Sequence, residues 1–138
     1  MKPILLDTDT LSFFLRNEKM SERKVTQKVN DYLKEHQKIN ISIITYYELL
    51  NGLYYGDTEE RTQEIELFLN HHTILPLSKE IARKAAGIYT KLKKEGNSIA
   101  HNDILIAATA IVENLVLVTN NEKHFYRIEE LKTENWTK

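Results

Sequence analysis

The chain has 138 residues, 41% of them hydrophobic, and carries 19 Lys and Arg against 20 Asp and Glu for a net charge of −1. That is enough apolar material for one ordinary core, and it excludes a globally basic nucleic-acid binder, so any contact with a polyanion must be local. The absence of cysteine excludes a disulfide framework and a thiolate metal site. No apolar run approaches the roughly 18 to 20 residues that span a bilayer, and the first residues lack a signal-peptide pattern. The expectation is one soluble, cytoplasmic domain over residues 1–138 with no membrane contact.

The elements follow in chain order. Pro3 to Leu6 is a short apolar run that suits a buried strand, and Leu11, Phe14 and Leu15 then recur at helical spacing. Ser21 to His36 places Val25, Val29, Tyr32 and Leu33 on one face of a second helix. Ile39, Ile41, Ile43 and Ile44 are strand-like, and Thr45 is expected to open a helix through Leu49, Leu50 and Leu53 toward Gly56. Asp57 to Asn70 reads as helix, 73–77 as strand, and Ser78 to Glu95 as a long helix with Ile81, Ala85, Ile88, Tyr89 and Leu92 inward. Gly96 supplies its stop. Asp103 to Asn114 is helical again, and residues 115–118 form a strand. Strands alternating with helices predict an α/β fold, a mostly parallel central sheet flanked by helices.

The acids fall at telling places in that alternation. Asp7 follows the first strand, Glu48 lies one turn into the helix after the second, and Asp103 starts a late helix. Ligands of open parallel sheets bind beyond the carboxyl ends of the strands, so three carboxylates far apart in sequence can meet there. Their repulsion calls for a cation, and hard oxygen donors suit Mg²⁺ or Mn²⁺. Each acid also has a purely structural reading. Asp7 or Asp9 can cap the first helix, Thr45 to Glu48 matches a capping box, and Asp103 follows Asn102, a good cap residue, in a first turn where the helix dipole favours acids.

The segments LLDTDTLSFFLR, ISIITYYELLNGL, IAHNDILIAATAIVENLVLVTNNEKHFYRI and LKTENW together resemble the PIN-domain ribonucleases of the VapC toxin type, over nearly the whole chain and in the expected order. The resemblance matches Asp7, Glu48 and Asp103 to the family's first three acids. It implies a Mg²⁺- or Mn²⁺-dependent endoribonuclease that leaves a 3′-hydroxyl and a 5′-phosphate, the toxin of a toxin–antitoxin pair. A VapB-like antitoxin would be its partner, and tRNA or ribosomal RNA its substrate. The chain departs from the family pattern at three positions. Asp9 stands where many relatives have Asn, and is either a helper in the turn or a cap. Asn121 stands where many carry a fourth acid, leaving an amide, a water or Glu122 to serve. His101 stands where an extra acid is often found. Thr8, Thr119 and Asn120 lie at strand ends as donors that could orient the ligands.

Other signals are weaker. His71 and His72 are adjacent, which is not the spacing of a zinc site on one helical face. Arg16, Lys19, Lys79, Arg83 and Lys84 are cations that could hold phosphates, or simply form solvated helix faces. Tyr46, Tyr47, Tyr54 and Tyr55 suggest a homodimer or protein-partner surface, with core packing or scatter as the alternative. Trp136 is expected to pack on the sheet edge. Two rival readings are a catalytically inactive PIN-like module that binds RNA or protein, and a haloacid-dehalogenase-type phosphatase, whose DxD resembles Asp7-Thr8-Asp9. Leu11 departs from the latter pattern, which also has no counterpart to Glu48.

Overall fold

A computed structural model describes residues 1–138. Five strands, β1 (Ile4–Leu6), β2 (Asn40–Ser42), β3 (Thr73–Leu75), β4 (Val116–Val118) and β5 (Thr133–Glu134), form one sheet in the order β3-β2-β1-β4-β5, and every pairing is parallel. Parallel neighbours need crossovers, and seven helices supply them: α1 (Thr8–Arg16), α2 (Met20–His36), α3 (Ile43–Gly56), α4 (Glu59–His71), α5 (Lys79–Lys94), α6 (His101–Val112) and α7 (Glu122–Phe125).

The central strands are buried on both faces, which is why they read as unbroken apolar runs. Ile4, Leu6, Val116 and Val118 pack with Leu11, Val25, Val29 and Tyr32 on one side, while Leu5 and Leu117 pack with Ile81, Leu92 and Ile104 on the other. The sheet thus separates α1 to α4 from α5 and α6, with side chains alternating at the period of two that a strand imposes. Trp136 is buried near Tyr32, with ring centroids 6.1 Å apart, and Gly96 follows α5 at φ +76°.

Of the boundaries that differ from the sequence expectation, three have a specific local cause or consequence. β2 stops at Ser42, whose hydroxyl accepts the Thr45 amide at 3.0 Å, so Ile43 and Ile44 begin α3 in place of extending the strand. The serine cap outweighs β-branched preference, and the expected Thr45 capping box does not form because both of its residues lie inside the helix. β3 ends before Pro76, which has no N–H to give a ladder. α6 begins two residues early, capped at Ala100 without a side-chain bond, so Asn102 is a helical residue and not the cap.

Candidate metal centre

β1 delivers Asp7 directly to the carboxyl edge of the sheet. Its amide donates to Val118 O at 3.0 Å, continuing the β1–β4 ladder, and its Oδ1 accepts the Thr10 amide at 2.8 Å as the N-cap of α1. Asp7 is therefore the cap of α1, and that role leaves it at the carboxyl edge of the sheet. The residue is only 6% exposed, and burial pushes its carboxyl above the ordinary carboxylate value, against hydrogen bonds from the Thr119 hydroxyl and Thr10 amide.

Glu48 projects from α3, and both of its oxygens are held. Thr8 Oγ1 donates to Oε1 at 2.6 Å, and Asn102 Nδ2 donates to Oε2 at 3.4 Å. Asp103 lies in the first turn of α6 with its side chain 31% exposed, and its Oδ2 sits 3.4 Å from His124 Nδ1. Burial raises its pKa, His124 opposes the rise, and the charges of Glu48 and Asp9 add to it. Asp103 thus faces the charges of Glu48 and Asp9 across the cleft.

Asp7, Thr8, Asp9, Glu48, Asp103 and Asn121 line one cleft with Ile106 and Phe125, enclosing a volume of about 90 Å³. Expected members missing from that lining are equally informative. Glu122 accepts from Asn135 Nδ2 at 3.2 Å and lies 3.5 Å from Lys138 Nζ, while Asn120 accepts from the Thr137 hydroxyl at 3.1 Å. Both bind the C-terminal segment. His101 stacks on Tyr89, centroids 4.4 Å apart. Thr119 is fully buried behind Asp7 and accepts the Asn121 amide at 2.9 Å. Of the cations, Lys79, Arg83 and Lys84 share a groove with Val112 at the far end of α6 from Asp103, nine residues and about 13 Å along a helix. Arg16 is bound to Glu22 at 2.9 Å.

Asn102, Thr45 and His124 were not singled out from the sequence as site residues. Asn102 looked like a cap, Thr45 like a helix start, and His124 gave no local signal, since its partner is 21 residues away. Asp103 arrives, as expected, in the first turn of a late helix. It comes from α6, the second helix of the α5–α6 pair, whereas β4 contributes Thr119 and Asn121.

The donor set fits a hard divalent cation in kind: carboxylates and an amide around a cleft whose buried acids lack a full countercharge. The arrangement is open, because no three His, Asp or Glu side chains are close enough together to hold an ion. Asp7 is engaged by Thr10, Glu48 by Thr8 and Asn102, and Asp103 by His124.

A PIN-domain family model matches residues 4–131. The ribonuclease VapC1 of Haemophilus influenzae (strain R2866) is 32% identical over 97% of this chain and 98% of its own length. A tRNA(fMet)-specific endonuclease VapC of Shigella flexneri is 29% identical over 99% of this chain and 100% of its own. Among solved structures, VapBC2 from Rickettsia felis, bound to a DNA fragment from their promoter, superimposes with a TM-score of 0.82 at 32% identity, covering 96% of this chain and 98% of that one. A fold match and a sequence match of nearly full length thus coincide with a carboxylate cleft at the sheet edge, and the chain belongs to the PIN-domain family, among its VapC ribonucleases.

Proposed function

We propose that the chain is a divalent-metal-dependent endoribonuclease, the cytoplasmic toxin of a toxin–antitoxin pair, acting as one catalytic domain over residues 1–138. The observation that carries this reading is the meeting of Asp7, Glu48 and Asp103, from three distant parts of the chain, around one cleft. These three would hold Mg²⁺ or Mn²⁺, with Asn121 as the neutral donor at the fourth place and Asp9 as an added charge at the mouth. When bound, the cation supplies charge neutralisation at a phosphodiester and acidifies water for attack on phosphorus. Asp7 fixes the floor of the site through its cap on α1, Glu48 presents a carboxylate already oriented by Thr8 and Asn102, and Asp103 closes the outer side beside His124.

The name of the Shigella flexneri relative supports tRNA as the substrate class, and the VapBC relatives support a VapB-like antitoxin as partner. A Lys or Arg from that partner, placed among the carboxylates, would supply the missing countercharge, so partner and metal should compete. The exposed Tyr47, Tyr54 and Tyr55 of α3 offer a surface for a second copy.

The test is cleavage of total cellular RNA by the partner-free chain with Mg²⁺ or Mn²⁺, with EDTA, and beside Asp103→Asn. Discrete metal-dependent fragments that vanish in the variant support the reading. Absence of cleavage by a folded, metal-supplied chain on both tRNA and ribosomal RNA overturns it in favour of a binding module.

A further inference from the structure

Glu48 is the terminus of a line of hydroxyls that begins in the fold itself. Ser42 ends β2 and caps α3, its Oγ accepting the Thr45 amide at 3.0 Å. Ser42 Oγ lies 3.3 Å from Thr45 Oγ1, Thr45 Oγ1 lies 3.1 Å from Thr8 Oγ1, and Thr8 Oγ1 lies 2.6 Å from Glu48 Oε1. Ser42 and Thr45 are 1% and 0% exposed, so water does not compete along that part of the line.

The chemistry of the end group fixes the direction. An ionised carboxylate only accepts, so the single Thr8 proton goes to Glu48. Thr8 is then left as an acceptor toward Thr45, and Thr45 toward Ser42. Each hydroxyl donates forward and accepts from behind, the arrangement in which successive hydrogen bonds polarise one another. The separations shorten toward the charge, as expected where the last bond is charge-assisted. Asn102 secures the other oxygen at 3.4 Å, so the carboxylate is restrained at both ends. Thr8 adjoins Asp7 and Asn102 adjoins Asp103, and the neighbours of the other two acids thereby hold the third.

We infer that Ser42, Thr45 and Thr8 form a one-way hydroxyl relay that, with Asn102, positions Glu48 for metal binding. They are positioning residues, with Thr8 the strongest and Thr45 acting at one remove. The inference rests on the reading of Glu48 as a metal ligand, and its test separates the two.

Mn²⁺ affinity is measured by calorimetry on the partner-free chain for the wild type, Glu48→Gln, Thr8→Val, Thr8→Ser, Thr45→Val and Asn102→Ala, with thermal melting alongside. Loss of an oriented outer partner weakens metal binding by roughly 10- to 100-fold. Thr8→Val should fall in that range, Thr45→Val and Asn102→Ala should lose less, and Thr8→Ser should restore the wild-type value. A general loss of structure would lower the melting temperature without rescue by serine. If Thr45→Val does not fold, the partly exposed Thr8 pair carries the test. Wild-type affinity in Thr8→Val and Thr45→Val, while Glu48→Gln loses the metal, overturns the relay alone. Wild-type affinity in Glu48→Gln overturns the ligand reading, and the relay with it.

Discussion

Carboxylates at two places in this molecule behave in opposite ways. At the corner between α1 and α2, Glu22 has a side chain 2% exposed and accepts from Arg16 Nε and the amides of Glu18 and Lys19, each at 2.9 Å. Those donors, the Lys19 amide foremost, hold its pKa down to about 2. In the cleft, burial pushes Asp7 and Asp103 upward, and the hydrogen bonds they receive do not compensate. A buried acid with a full set of donors is a structural element. A buried acid left short of countercharge marks a place where a cation or a cationic partner belongs.

The sharpest way to separate the two roles is at Asp7, which caps α1 and is also a proposed metal ligand. Asp7→Asn keeps a good cap but removes a desolvated charge, so the metal-free melting temperature at neutral pH should not fall, while metal-dependent cleavage drops by more than the roughly 100-fold typical of losing a group that only orients a ligand. Asp7→Ala removes cap and charge together and should cost about 1 kcal/mol of stability besides. Equal activity in Asp7→Asn and wild type would break the comparison at its centre.

At the opposite corner, Glu22→Gln should lower the melting temperature while the folded chain cleaves RNA as before. The pH dependence of the metal-free chain sharpens the contrast further. Glu22 contributes stability that is fully present above its ordinary value of 4.5 and is lost as pH falls toward about 2. Asp7 and Asp103 have the reverse sign: their folded pKa values lie above 3.8, so their contribution is present below that value and is lost as pH rises through the raised values. Melting curves across pH should therefore show a shallower low-pH fall in Glu22→Gln and a shallower decline above pH 3.8 in Asp7→Asn, where Asp103 still contributes. The smallest effect is expected at the outer stack. His101→Ala should change stability by no more than about 0.5 kcal/mol, and leave Mn²⁺ affinity unaltered, because the ring faces Tyr89 outside the cleft.

What could be read from the sequence was what local pattern encodes. The alternation of apolar strands and amphipathic helices led to the parallel sheet, and the position of Asp7 after β1 led to the cleft. The serine at position 42 was hidden inside an isoleucine-rich run, where β-preference concealed a helix cap three residues upstream of the obvious threonine. Asn102 and His124 escaped because their partners, Glu48 and Asp103, are distant in sequence. Glu122, Asn120 and His101 were drawn toward the site by proximity in sequence, yet a helical turn and a C-terminal segment direct them elsewhere. Lys79, Arg83 and Lys84 of α5 could be read as phosphate-holding cations or as a solvated helix face, and the packing of α5 on α6 puts them in a groove with Val112, at the far end of α6 from Asp103.

The cap that Asp7 places on α1 has a consequence for how the protein can be disarmed in a cell. Asp7→Ala is expected to remove activity and part of the stability together, which would expose the damaged chains to proteolysis and make them scarce. Disarming at the half-exposed Asp103 is expected to leave the fold intact, so that the inactive chains would accumulate. Such chains would continue to capture the partner made to restrain them, freeing intact copies to cut. Two inactivating changes in one cleft would thus produce opposite outcomes for a cell carrying both forms, one silent and one harmful.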